Sequence, residues 1–336
     1  MRITFLIGNG FDLNLGMQTR FKDFCAHIKK ENTDSDNEII KTIKDEPIEL
    51  WSDMEQRLGQ YCNSDNVKDE RRYLDEKLNL EQELEKYLEA QQKPVIEKIK
   101  KEPKIYADEF IRSVKAFQNI FPQKDKNVIA NLISQFNTSI DYTFISFNYT
   151  EVLDAIFKAA RETVGDALSH VCTSTNTKYT DRLTETYHVH GSLHDGIILG
   201  VNDTGQIAMK VENKSAIAVN MVKRLSNNEY GELRTENTTR LINESRLICL
   251  YGMSIGETDA MWWNTVCSRL SQDPACRLVI FVHTDKSDRY IANRQQINYD
   301  TKEKLRRNSR IKDEIWNAIE GRIIVKANPE IFQFRT

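Results

Sequence analysis

Short runs of near-continuous Ile, Leu, Val and Phe punctuate the chain: RITFLIG (2–8), YTFISFN (142–148), TYHVHGS (186–192), GIILG (196–200), SRLICLYG (245–252), CRLVIFVH (276–283) and RIIVKA (322–327). Few polar residues alternate within them. That pattern belongs to strands buried on both faces, as in a parallel sheet covered by helices. Helical spacing fills several gaps, at 150–164, 257–271 and 302–320. Strand and helix alternating in this way predict an α/β, Rossmann-like sandwich with a mostly parallel sheet and helices on both faces.

Residues 31 to about 138 break the alternation. The stretch DNVKDERRYLDEKLNLEQELEKYLEAQQKPVIEKIKKEPK is charged and strand-poor, with leucines at 74, 78, 84 and 88 spaced for one helical face. Opposite charges recur four apart at Arg71–Asp75, Arg72–Glu76, Lys77–Glu81 and Glu97–Lys101. Only the last has the more favourable acid-before-base order, so these pairs describe a solvated helix surface. A coiled coil for a partner would need a heptad that is not sustained. The organisation expected is a Rossmann-like nucleotide-binding core from 1–30 and 139–336, with a helical insertion at 31–138.

Composition narrows the classes. With 336 residues, 40% hydrophobic, the chain has enough apolar surface for a sizeable core. A formal charge of -3 gives no global positive field for nucleic acid or anionic membrane, although a local basic patch stays open. Six scattered cysteines without a Cys-x-x-Cys fit a reducing compartment better than a disulfide framework. No apolar stretch is long enough for a signal peptide or a membrane span, so a cytoplasmic protein is expected.

The candidate chemistry falls at strand ends, where open parallel sheets bind ligands. In FLIGNGFDLNLG a Gly-x-Gly follows the first strand and precedes a helix. Such a junction lets main chain approach a ligand and aims helix amides at it; it also serves as a plain tight turn. The third position of the full dinucleotide fingerprint is Leu13 rather than glycine. Asp12 either caps the helix or accepts hydrogen bonds from sugar hydroxyls. Asn148 ends FISFN, either as a ligand contact or as a turn residue. His188 and His190 share one strand face, and a catalytic His190 beside a satisfied His188 is more economical than a metal site, which lacks further ligands. A buried, hydrogen-bonded core histidine is the alternative for His190. Gly252, Ser254 and Gly256 in YGMSIGETD match the G-x-S-x-G nucleophile elbow, but only His283 follows, and little chain remains for a hydrolase sheet. Of Trp262 and Trp263, one reads as core and the other as a candidate interface residue.

LIGNGFDLNLGM with TRFKDF, then WSDME (51–55), FISFNYT, HVHGSL and LYGMSIGETD, together and in this order, resemble the AbiH family of bacterial phage-abortive-infection proteins. That family is in turn similar to a distant sirtuin-like fold, a Rossmann-type domain that binds NAD. The resemblance implies dinucleotide contacts at Gly8, Asn9 and Gly10, with Phe11 beside them. It implies a ribose contact at Asn148, a catalytic His190 followed by Gly191, and adenosine contacts at Gly252 and Ser254. The paired Cys-x-x-Cys zinc module of sirtuin deacylases is absent, and their peptide-binding segment is not recognisable. The activity implied is therefore NAD glycohydrolysis in abortive infection, with NAD as substrate, no added cofactor and no metal.

In that chemistry the nicotinamide–ribose bond breaks through an oxocarbenium-like sugar. His190 is expected as general base, Asn148 as holder of the ribose or the water, and Asp12 as orienter of the nicotinamide ribose. Two other classes share the fold: a hydrolase of another nucleotide or of nucleic acid, and a non-catalytic nucleotide sensor acting through a partner. A second copy or a regulatory protein is the candidate partner.

Overall fold

The computed structural model describes residues 1–31 and 36–334; residues 32–35 of the expected insertion and the last two residues lie outside the described residues. Six strands form one parallel sheet: β1 (Arg2–Ile7), β2 (Asp141–Ser146), β3 (Arg182–His188), β4 (Ser245–Tyr251), β5 (Arg277–Val282) and β6 (Ile323–Ala327). Their spatial order is β3-β2-β1-β4-β5-β6. This is the doubly wound Rossmann order, in which the chain reverses direction of winding between β1 and β4. The fold is α/β and Rossmann-like.

The central strands β1, β2 and β4 bury both faces, whereas the edge strand β3 is mostly half-buried. In β1, Ile3, Phe5 and Ile7 enter the core on one side while Leu6 enters the core on the other. The first side is covered by Glu70–Lys101 (its C-terminal half), Pro103–Ala116, Gln123–Ser134 and Val152–Thr163. Arg234–Asn243, Ala260–Gln272, Ile291–Ser309 and Asp313–Ile319 cover the second. The described residues of 31–138 contribute to two cores. Val95, Phe110 and Ile129 belong to the sheet's own core, whereas Ile39, Trp51 and Leu84 join Tyr149, Leu199 and Met221 in a second core beyond the strand ends.

Several expectations are corrected locally. The run 196–200 is not a sheet strand: Gly196–Ile197 pairs antiparallel with Gly191–Ser192. Gly191 and Gly196 have φ of +74° and +85°, and a Cβ on Gly191 would lie 2.0 Å from the Gly196 carbonyl oxygen, so only glycine closes this hairpin. The expected helix 302–320 is two helices, separated where Arg310 takes a left-handed φ of 54°. In the long helix Leu84 and Leu88 are buried but Leu78 is exposed, because the buried stripe runs through Tyr73, Lys77, Leu80 and Leu84. Neither tryptophan is at a surface: Trp262 and Trp263 are both buried in the second-face core. Among the described residues, no helix is long and apolar enough to cross a membrane.

Candidate active site

The register places the site. Ile7 pairs with Ser146 on one side and Tyr251 on the other, and Ser146 pairs with His188. Four strands therefore end at one level, and the residues that follow them leave the sheet together. Gly8, Asn148, His190 and Gly252 all line one cleft of about 330 Å³ at this end of the sheet. Glu55 and Leu88 from the helices beyond the strand ends, and Lys223, complete its wall.

At the β1 turn, a five-residue helix, Gly10–Asn14, turns Asp12 toward β2. Asp12 is not a cap. Its Oδ1 accepts from Asn148 Nδ2 at 3.0 Å and its Oδ2 from the Thr150 hydroxyl at 2.6 Å. Burial pushes its carboxyl up to about 7, against the lowering effect of the Thr150 and Asn148 hydrogen bonds and the His188 charge. Asn148 Nδ2 also donates to the Gly8 carbonyl at 3.2 Å. Both partners of this amide are acceptors, which fixes its orientation and leaves Oδ1 as the atom Asn148 offers to a ligand.

His188 and His190 take separate roles. His188 faces the Asp154 carboxylate at 2.8 Å through Nε2 and the Asn148 carbonyl at 2.9 Å through Nδ1. Both partners accept, so only the imidazolium satisfies both, and Asp154 raises the His188 pKa despite the opposing effect of burial. His190 is 4% exposed, with Nε2 at 2.9 Å from Asp259 Oδ1. The Asp259 carboxyl is held below the usual range by Lys223 and His190, although burial works the other way. An ionised carboxylate only accepts, so Nε2 carries the proton and Nδ1 is the basic nitrogen. Nδ1 is buried without a hydrogen-bond partner. Burial, then the Lys223 ammonium, lowers the His190 pKa, so the ring is neutral at neutral pH.

Lys223 links these groups. Its ammonium lies 2.7 Å from Glu55 Oε2 and 2.9 Å from Asp259 Oδ1, with its side chain 7% exposed. Burial lowers its pKa, but the two carboxylates outweigh that and raise it. Burial also raises the Glu55 carboxyl well above its ordinary value, with Lys223 opposing. The Tyr149 hydroxyl is 3.3 Å from Glu55 Oε1 and 3.1 Å from the Ile198 carbonyl, and donates to one of them at a time.

Of the expected site residues, Asp12, Asn148, His190, Gly8, Asn9, Gly252 and Ser254 come together at this cleft. Three depart from expectation. Phe11 is fully buried on the opposite side of the short helix, packed against Tyr251, Phe332 and Phe334, and does not line the cleft. Gly191 turns the hairpin after His190. Gly10 contacts protein main chain: its Cβ position would lie 2.4 Å from Gly252 Cα. The amides of Gly8 and Gly10 donate to the Tyr251 and Gly252 carbonyls at 2.9 and 3.0 Å, so neither is free to cradle a diphosphate. These glycines instead allow the β1 and β4 turns to touch.

Ser254 is exposed on the loop after β4, without a hydrogen bond to a histidine or carboxylate among the described residues, so no serine triad is assembled. Among the described residues no group of three or more His, Cys, Asp or Glu side chains is placed to hold a metal. Sequence reasoning missed Glu55, Lys223, Asp259 and Thr150 as site residues. Glu55 and Asp259 do stand inside the quoted WSDME and GETD motifs, while Lys223 carries no motif. No curated protein matches the chain. A family model described as Bacteriophage abortive infection AbiH matches residues 4–282, a span that includes Asp12, Glu55, Asn148, His190, Lys223 and Asp259, and the chain belongs to this family.

Proposed function

We propose that this AbiH protein is an abortive-infection effector that hydrolyses NAD at the bond between nicotinamide and ribose, on a sirtuin-like arrangement of strand ends. The observation that carries the reading is His190 with an unpartnered Nδ1, in a cleft lined by the carboxyl groups of Asp12, Glu55 and Asp259. Glycosidic cleavage needs a base for water and carboxylates for a cationic sugar. The C1′–N bond breaks with its electron pair passing to the ring, which neutralises the pyridinium and needs no strong acid. Water adds at C1′ and gives its proton to His190 Nδ1, while Asp259 stabilises the imidazolium through Nε2–H. Asn148 Oδ1 accepts from a ribose hydroxyl or from the water.

The test is incubation of the purified chain with NAD, followed by measurement of free nicotinamide, alongside His190→Ala and Asn148→Ala. Loss of about two to four orders of magnitude in rate in His190→Ala is expected for removal of a general base. Turnover at the parental rate in either variant, or no nicotinamide from the parent, overturns the reading.

A further inference from the structure

We propose that this cleft recognises the N-ribosyl pyridinium end of its substrate, and that the diphosphate adds little to recognition. The proposal rests on the NAD-cleaving reading for the identity of the ring, and goes beyond it in stating which half of the dinucleotide is held. Among the described residues, Asp12, Asp53, Glu55 and Asp259 line the cleft and no arginine does. Its one lysine, Lys223, is already paired with Glu55 and Asp259. The amides of Gly8 and Gly10 are taken by the Tyr251 and Gly252 carbonyls. A diphosphate drawn inside would meet a lining in which four carboxyl groups face a single ammonium, where the low local dielectric strengthens like-charge repulsion.

A pyridinium riboside meets the reverse. Its positive ring enters a negatively charged lining that also presents Phe21, Phe147 and Tyr149, whose ring faces attract cations. The unpartnered, buried Nδ1 of His190 is a second and independent indication. A buried lone pair calls for a donor, and ribose hydroxyls are donors whereas an ionised diphosphate has none. At about 330 Å³ the cleft is also small among ligand sites, suited to a riboside more than to a whole dinucleotide.

The experiment is isothermal titration of the full chain with nicotinamide riboside, its neutral dihydro form and ADP-ribose. Nicotinamide riboside is expected to bind at least about tenfold more tightly than either of the others, a preference a single opposite-charge contact readily supplies. Equal or tighter binding of ADP-ribose, equal binding of the dihydro form, or no binding of nicotinamide riboside overturns the proposal. Free nicotinamide is scored separately in the same samples. Preferential riboside binding without any cleavage of NAD would overturn the hydrolase reading and leave this proposal standing.

Discussion

Replacing Asp12 with asparagine isolates the electrostatics of the cleft with little change of shape. The carboxyl oxygens of Asp12 accept from Asn148 Nδ2 and from Thr150. An amide reproduces both contacts, its oxygen accepting from Asn148 and its NH₂ donating to the Thr150 hydroxyl, which rotates to suit. What changes is the charge. Burial raises the Asp12 carboxyl from 3.8 to about 7, so the folded protein retains a proton that the unfolded chain has released. A raised carboxyl of this kind contributes its full stability below about pH 4, loses it as pH rises, and has lost it once the folded group itself ionises near pH 7. At 1.36 kcal/mol per pKa unit the loss totals about 4 kcal/mol, of which about 2.5 kcal/mol falls between pH 5 and pH 8.

Asp12→Asn has no such proton to exchange, so its advantage over the parent should grow by about 2.5 kcal/mol across that interval. At roughly 2 °C per kcal/mol for a chain of this size, that is a widening of about 5 °C in Tm. Thermal unfolding of both proteins at pH 5, 6, 7 and 8 measures it. A Tm difference that stays constant with pH, or that narrows toward pH 8, would refute the assignment of Asp12 as a buried group paid for in stability. The same variant should bind nicotinamide riboside more weakly at pH 8, since the charge it removes is one the ligand meets; in the parent, Thr150, Asn148 and the His188 imidazolium are the groups that face this carboxylate.

Lys223→Met strands Glu55 and Asp259 side by side without their ammonium, and removing one partner of a buried ionic cluster costs about 3–5 kcal/mol. Burial already raises Glu55, so the loss should be larger at pH 8 than at pH 6; urea unfolding that shows the reverse pH trend counts against the cluster as drawn. Gly252→Ala combines a φ of +67° with a Cβ 2.7 Å from Gly10 Cα, whereas Gly16→Ala has a φ of +81° and nothing within 4 Å. Gly16→Ala should lose about 1 kcal/mol and Gly252→Ala clearly more, so equal losses in denaturant unfolding would remove the argument that the two glycine turns must touch.

What could be read from the chain follows from what each residue's neighbours in sequence already say. Strands such as LICLY and LVIFV are apolar on both faces, and the positions just after them, Asn148, His190 and Gly252, converge because a parallel sheet in register brings strand ends to one level. Phe11 misled because GNGF reads as one turn, yet a single helical turn sends adjacent side chains to opposite sides: Asp12 to the cleft, Phe11 to the core. Lys223 was illegible for a different reason. Its carboxylate partner Glu55 lies 168 residues away, both sit on short helices, and an isolated charge on a short helix has no periodicity that sets it apart from solvated neighbours. The hairpin of Ser169–Cys172 and Thr177–Thr180 left no apolar run to detect.

The Lys223 cluster also bears on how the site is assembled. Glu55 comes from the helix Met54–Tyr61 beyond the strand ends, Lys223 from Lys223–Glu229, and Asp259 from the loop after β4. A buried ionic cluster is a poor source of net stability compared with apolar packing, but it tolerates few alternative arrangements, since any displacement leaves a charge without its partner. Ile39, Leu58 and Met221 hold these helices in one apolar core, which by itself permits sliding. The ammonium, seated at 2.7 and 2.9 Å between its two carboxylates, does not. Asp259 in turn orients His190. Seating the outer helices on the sheet and orienting His190 through Asp259 are therefore one structural event, and a change that loosens those helices should disturb the histidine even where it touches neither the ring nor a ligand.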